Sequence, residues 1–150
     1  MKLQFRGLFL FVLHRADGSA ETWESENFLT EDGEAWVADQ LAATPALDPM
    51  TYMGIGTGSG QTQADTTLDN EVARVAFESG YPAVGAGADD NEVEFYANFP
   101  AGTGTGIITE VAVFNASSGG NMLNYSQNFV KDKQAGDALE VHLYLKCGTT

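Results

Sequence analysis

The fold is decided near the C-terminus, by the stretch Leu139-Glu-Val-His-Leu-Tyr-Leu-Lys-Cys147. Apolar residues occupy every second position of this stretch, and polar or aromatic residues lie between them. Because successive side chains of a strand point to opposite faces of its sheet, the stretch predicts a strand with one face in the core. Residues 92–99 alternate in the same way, with Val93 and Phe95 among the apolar positions. Two half-buried strands are therefore predicted.

Two further segments are apolar at consecutive positions. Residues 3–14 contain the run Gly7-Leu-Phe-Leu-Phe-Val-Leu13, and residues 107–114 read Ile-Ile-Thr-Glu-Val-Ala-Val-Phe. A strand with two apolar faces is expected to be covered on both sides, as central strands are. We expect that such strands can support a sheet buried against a neighbouring subunit.

Shorter strands complete the predicted sheet structure. They are placed at residues 20–28, 51–56, 72–79 and 122–130. Asp17-Gly18 marks a turn that joins the first two strands in a hairpin. About eight strands with Gly-rich turns predict a mostly β fold: an antiparallel β-sandwich, jelly-roll-like.

One short helix is predicted near residues 31–43. Thr30 is a suitable N-cap, and acidic residues follow in the first turn, where the helix dipole favours them. Trp36, Val37 and Leu41 fall at helical spacing, so we expect all three to pack on the sheet.

Length and charge limit the class of protein. A chain of 150 residues without a long linker or internal repeat predicts a single domain over residues 1–150. Seven Lys and Arg stand against 21 Asp and Glu, which gives a net charge of −14. Nucleic acids and anionic membranes are bound through basic patches, and the few cations here are scattered, so neither partner is expected. No stretch approaches the roughly 20 apolar residues of a membrane helix.

The acidity also fits a saline habitat, such as that of a haloarchaeal host. At about 1 M salt the Debye length falls to about 3 Å, so repulsion between surface carboxylates is screened. We therefore expect the isolated protein to lose stability in dilute buffer. Thermal midpoints measured between about 0.1 M and about 2 M salt test this expectation, and equal midpoints would contradict it.

The glycine-rich run Gly54-Ile-Gly-Thr-Gly-Ser-Gly60 is the most suggestive motif for a nucleotide site. A phosphate-binding loop would also contain a lysine that opens a helix, and a dinucleotide fingerprint would lie in a βαβ unit. The polar residues that follow provide neither. The run predicts a strand end that turns into a flexible loop over residues 56–69, which could drape over a partner.

The remaining reactive side chains are isolated in the sequence. Asp89-Asp-Asn-Glu92 lacks the alternate spacing of a calcium loop. His14 and His142 have no nucleophile signature near them, and Cys147 has no second cysteine to pair with. The sequence therefore predicts no catalytic residue, no cofactor and no metal site, and a protein that is not an enzyme.

Three blocks of the chain carry a family resemblance. The first runs from Phe5-Arg-Gly-Leu-Phe-Leu-Phe-Val12 to Trp23-Glu-Ser-Glu-Asn-Phe-Leu-Thr-Glu-Asp-Gly33, and the second is Tyr52-Met-Gly-Ile-Gly-Thr-Gly58. The third joins Ile107-Ile-Thr-Glu-Val-Ala-Val-Phe114 to Gly119-Gly-Asn-Met-Leu123. In this order they are similar to small virion proteins of tailed bacteriophages and related archaeal viruses. The resemblance implies a β-sandwich that self-associates and binds a capsid or tail surface without catalytic residues.

The leading functional hypothesis is a capsid decoration or cement protein on the outer head shell. It would bind the major capsid protein as a dimer or trimer after assembly in the host cytoplasm, and bury surface across joints in the shell. The alternative is a tail, neck or fibre component of the same particle. A carbohydrate-binding module that uses Trp23, Tyr96 and Tyr144 is a further alternative, and a hydrolase with dispersed carboxylates is the last.

Overall fold

Two antiparallel sheets pack face to face in the computed structural model of the chain, which describes residues 1–149. Within these residues there are twelve strands and one α-helix. In chain order the elements are β1 (Leu3–His14), β2 (Ala20–Glu26), β3 (Phe28–Leu29), α1 (Glu31–Gln40), β4 (Tyr52–Gly56), β5 (Glu71–Ala76), β6 (Ala83–Val84), β7 (Glu92–Phe99), β8 (Gly106–Ile108), β9 (Glu110–Phe114), β10 (Met122–Ser126), β11 (Lys131–Lys133) and β12 (Ala138–Thr149).

The first sheet, sheet A, has the strand order β2-β1-β12-β7-β6, and the second, sheet B, has the order β3-β10-β9-β4-β5. Strands β8 and β11 form a separate pair. In sheet A the C-terminal strand lies between β1 and β7 and pairs with β1 along its whole length, from Leu3–Thr149 to His14–Ala138. The C-terminal strand is therefore central to its sheet.

The core lies between the inner faces of the two sheets. From sheet A it receives alternate residues of the three longest strands, such as Phe9, Phe95 and Val141, and from sheet B it receives Ile55 and Val111, all buried. Alternate burial along β1, β7 and β12 follows the period of two that predicted these strands.

The predicted mostly β antiparallel sandwich with one helix is confirmed. The strands predicted over residues 3–14 and 92–99 have those bounds, and the predicted hairpin between β1 and β2 is formed. The first and last strands pair side by side in one sheet, as in a jelly roll. The count of about eight strands was too low, because β3, β6, β8 and β11 have only two or three residues. Segments so short show no alternation in the sequence.

The segment predicted as one central strand over residues 107–114 is broken at Thr109. The Thr109 amide donates to the carbonyl of Gly56 and its hydroxyl donates to the carbonyl of Gly58. These bonds take Thr109 out of the ladder, so β8 pairs with β11 while β9 continues into sheet B. The strand predicted to end at residue 130 likewise stops at Ser126.

Both faces of β9 are covered within the chain. Ala112 and Phe114 point away from the main core and are fully buried in a second cluster with Leu68 and Tyr125. The apolar second face of this strand therefore needs no neighbouring subunit to cover it. The loop that precedes β5 supplies the cover instead.

Helix α1 begins as predicted and ends early. The Thr30 hydroxyl accepts a hydrogen bond from the amide of Gly33 at 2.8 Å and caps the N-terminus. The carboxylate of Asp39 accepts from the amides of residues 46 and 47, so the chain folds back after Gln40. Leu41 consequently lies outside the helix with 75% of its surface exposed, and its predicted packing on the sheet is wrong. No helix of residues 1–149 is long and apolar enough to cross a membrane.

Candidate functional site

The side of sheet A that points away from the core is here named the outer face. Alternate residues of β1, β2, β7 and β12 form it, because the residues between them fill the core. Paired across the strands, its central rows are Glu26-Leu8-Tyr144-Glu94, Glu24-Leu10-His142-Tyr96 and Thr22-Val12-Glu140-Asn98.

An aliphatic stripe runs along the centre of the outer face. Leu8, Leu10 and Val12 alternate with the buried residues of β1, and all three are half-buried. The strands that contact β1 most are β12 and β2, and both belong to its own sheet. The apolar second face of residues 3–14 is thus present as predicted, but the expected cover on both sides is incomplete within the chain, because these three side chains stay partly exposed.

Three parallel rings stand beside the aliphatic stripe. The ring centroids of Tyr96 and His142 are 4.3 Å apart with an interplanar angle of 4°, and Tyr144 follows at 6.1 Å and 8° from His142. Tyr81 meets Tyr96 edge to face at 5.3 Å. Tyr96 therefore lies between two rings, and these contacts fix the orientation of the group.

A chain of hydrogen bonds crosses three strands of the outer face. Nδ1 of His142 lies 2.7 Å from Glu94, and its Nε2 lies 2.8 Å from Glu140. The second oxygen of Glu140 lies 2.9 Å from Nε2 of His14. The two ring nitrogens of His142 therefore face carboxylate oxygens on two different strands, β7 and β12. The network holds β1, β12 and β7 together.

The protonation states of this network follow from burial and contact. Burial acts to raise the pKa of Glu140, but hydrogen bonds from His14 and His142 outweigh it and hold the pKa below its usual range. Burial raises the pKa of Tyr144 to about 12, and the neighbouring Glu94 adds to the shift. At neutral pH Glu140 is therefore ionised, and the Tyr144 phenol is neutral.

The lowered pKa of Glu140 makes a contribution to stability that depends on pH. The contribution is present above the unfolded pKa, near 4.5, and is lost as the pH falls through the folded value. We expect Glu140→Gln to lower the free energy of unfolding by about 1–2 kcal/mol at about pH 7, and the difference from wild type to close below about pH 4. Thermal midpoints of both proteins against pH measure this, and a difference that grows in acid would contradict it.

The three aromatic residues predicted for a carbohydrate site do not share a surface. Trp23 points to the inner side of sheet A and stacks on Phe11, with centroids 4.8 Å apart and an angle of 2°. Tyr96 and Tyr144 remain together on the outer face, on either side of His142. The three residues therefore do not form the carbohydrate-binding surface that was predicted for them.

The glycine-rich loop is closed onto sheet B by Glu110. This fully buried carboxylate accepts hydrogen bonds from the amides of Gly58, Asp69 and Asn70 and from the side chain of Gln61, at 2.8 to 3.1 Å. Phosphate loops point such amides at a bound anion. Here the chain's own carboxylate occupies that position, so the loop does not drape freely as expected. Glu110 was missed, although a lone acid inside an apolar strand is a signal of a buried partner.

The other candidate residues are dispersed over the structure. Asp89 meets Lys146 at 3.4 Å, and Glu92 lies on the outer face of β7. Cys147 is half-buried on β12. Within residues 1–149, no three His, Cys, Asp or Glu side chains lie close enough to hold a metal ion together.

The fold and the outer face define a β-sandwich with an open, mixed apolar and acidic sheet face. A family model described as the podophage GP4 fiber I protein gp80 matches residues 34–143. The match covers most of the chain, and the protein belongs to this family. Membership makes it a structural protein of a tailed-phage virion and locates it on the tail. No curated protein matches the chain.

The family decides between some of the hypotheses from the sequence. The resemblance to virion proteins of tailed phages is confirmed. The family is described as a fibre protein, which favours the tail or fibre alternative over the leading hypothesis of a capsid cement protein. A haloarchaeal host and a dimeric or trimeric state stay predictions.

Proposed function

We propose that this chain is a non-enzymatic structural component of a podophage tail fibre that contacts other virion proteins. The family match over residues 34–143 carries the proposal, since the matched region contains most of α1 and strands of both sheets. A capsid decoration protein would lie on the head and contact the major capsid protein, whereas a fibre component lies on the tail and contacts tail proteins.

The use of the buried polar groups supports a structural role. Lys133 is buried and donates from Nζ to the carbonyls of Pro100 and Asp137. The carboxylate of Asp137 accepts a hydrogen bond from the Arg15 guanidinium at 2.9 Å, and the carboxylate of Glu110 accepts hydrogen bonds from amides of the glycine-rich loop. Each of these groups holds backbone or a neighbouring strand in place. They stabilise a scaffold.

Separating heads from tails of purified particles tests the proposal. We expect quantitative mass spectrometry to find the chain in the tail fraction, in a small fixed number of copies per particle. Recovery with the heads, in fixed proportion to the major capsid protein, would overturn the fibre role and restore the cement hypothesis.

We also propose that residues 1–149 fold as one cooperative unit. Sheet A contains both the first and the last strand, and residues of both sheets share one core cluster. Calorimetry is expected to give one transition with equal calorimetric and van't Hoff enthalpies. Two separated transitions would contradict the single domain.

A further inference from the structure

The two strands with apolar second faces differ in how they are covered. On β9 the second face is fully buried by Leu68 and its neighbours. On β1 the stripe of Leu8, Leu10 and Val12 stays partly exposed. Apolar side chains that lie together on an open face mark an interaction surface. We propose that the outer face of sheet A docks a basic surface of a different virion protein, an inference that rests on the proposed fibre function.

Charge favours a basic partner over a second copy of this chain. The registers place five carboxylates on the outer face, those of Glu24, Glu26, Glu92, Glu94 and Glu140. The same registers place only two Lys or Arg residues there, Arg6 and Lys146, and both lie at one end. A twofold pairing of two such faces would bring like charges together, which costs affinity and selects against that partner.

The carboxylates flank the stripe on both sides. Glu24 and Glu26 are exposed on β2, and within residues 1–149 neither makes a side-chain hydrogen bond or ion pair. On the other side Glu94 and Glu140 are held in place by His142. Groups that are already oriented lose little entropy when a partner binds.

These positions define the chemistry of the partner. An apolar side chain seated on Leu10 would have basic side chains on either side of it, one toward Glu24 and Glu26 and one toward Glu94. Tyr144 offers a ring beside Leu8, on which an arginine can also stack. The partner is thus a surface of Arg or Lys around an aliphatic or aromatic anchor.

Cross-linking in purified particles tests the identity of the partner. A zero-length carbodiimide reagent joins a carboxylate to a lysine amine in direct contact. We expect Glu24 or Glu26 to be joined to a lysine of another virion protein. Links from Glu24 and Glu26 only to lysines of a second copy would overturn the docking proposal.

Charge reversal tests the surface itself. Incorporation of Glu24→Lys/Glu26→Lys into particles is expected to fall about tenfold or more, which corresponds to about 1.4 kcal/mol of lost affinity. The matched control is Asp48→Lys/Asp132→Lys, which makes the same change in net charge at two exposed positions outside sheet A. Equal incorporation of the two double variants would overturn the proposal.

A second pair of variants tests the apolar stripe. Leu10→Lys is expected to lose incorporation, whereas Val130→Lys, at a position with 68% of its surface exposed, is expected to keep it. Thermal midpoints of the purified variants confirm that each has folded. Full incorporation of folded Leu10→Lys would contradict docking at this face. A chain recovered with heads would overturn the fibre function alone, because the cross-links and variants still report on the outer face.

Discussion

Replacing Glu110 by glutamine is expected to lower the free energy of unfolding by about 3 kcal/mol. One carboxylate oxygen accepts from the amides of Gly58 and Asn70, and the other accepts from the amide of Asp69 and the side-chain nitrogen of Gln61. Glutamine keeps one oxygen as an acceptor and replaces the other with an NH2 group. The two buried donors that bonded to the replaced oxygen would then face another donor and lose their acceptor. Denaturant unfolding measures the loss.

The loop should open before the sheets unfold in this variant. Glu110 accepts hydrogen bonds from residues 58, 61, 69 and 70. These residues lie on both sides of Leu68, which packs in one cluster with Phe114. Hydrogen exchange at the Gly58 and Asn70 amides is therefore expected to accelerate more than exchange in β12. Glu78→Gln at an exposed position is the matched control and should be neutral. Equal stability of the two variants would contradict the conclusion that Glu110 holds the loop onto sheet B.

Replacing Gly33 by alanine is expected to destabilise the protein by about 3 kcal/mol, although alanine is the better helix former. A Cβ built on Gly33 would lie 1.9 Å from the carbonyl oxygen of Leu123 and 2.8 Å from its carbon. These are backbone atoms of β10, so the clash cannot be relieved by a side-chain rotation. The helix would have to move away from the sheet.

The contacts around Gly33 explain why such a movement is costly. The Thr30 amide donates to the Leu123 carbonyl at 3.1 Å, and the Asp32 carboxylate accepts from the Met122 amide at 2.8 Å. A shift of α1 would break both bonds and withdraw Trp36 from the core. Unfolding curves of Gly33→Ala and of Gly148→Ala measure the difference, since a Cβ at Gly148 would meet nothing within 4 Å. A stabilised Gly33→Ala protein would contradict the close packing.

Only part of the outer face could be predicted from the sequence. The two apolar faces of residues 3–14 could be recognised from the sequence, and so could the alternate placement of His142 and Tyr144. The ring contact between Tyr96 and His142 could not, because it joins β7 to β12 and depends on their register. The same applies to Glu140, whose two histidines lie on different strands.

Trp23 was assigned to the wrong face of its strand. As an aromatic residue on a predicted strand it fitted an exposed carbohydrate platform, but its side chain faces Phe11 on the inner side of sheet A. Strand alternation tells which residues share a face, and it does not tell which face is the inner one. On β2 acidic residues occur on both faces, since Glu21 shares a face with Trp23 and Ser25, so charge did not reveal that this face is the inner one.

The resemblance of three sequence blocks indicated a virion protein. Strands β1, β7 and β12, the N-cap at Thr30 and the acidity of the chain follow from the residues alone. These features are local, because side-chain period, capping and composition act over neighbouring residues. Three features arise only when the chain folds: β12 lies between β1 and β7, the segment after Ile107 divides at Thr109, and Glu110 closes the loop. All three depend on contacts between segments that are distant in the sequence. The hydrogen bond from Gly58 to Glu110 spans 52 residues, and strand order over such distances depends on how the two sheets bury a common core.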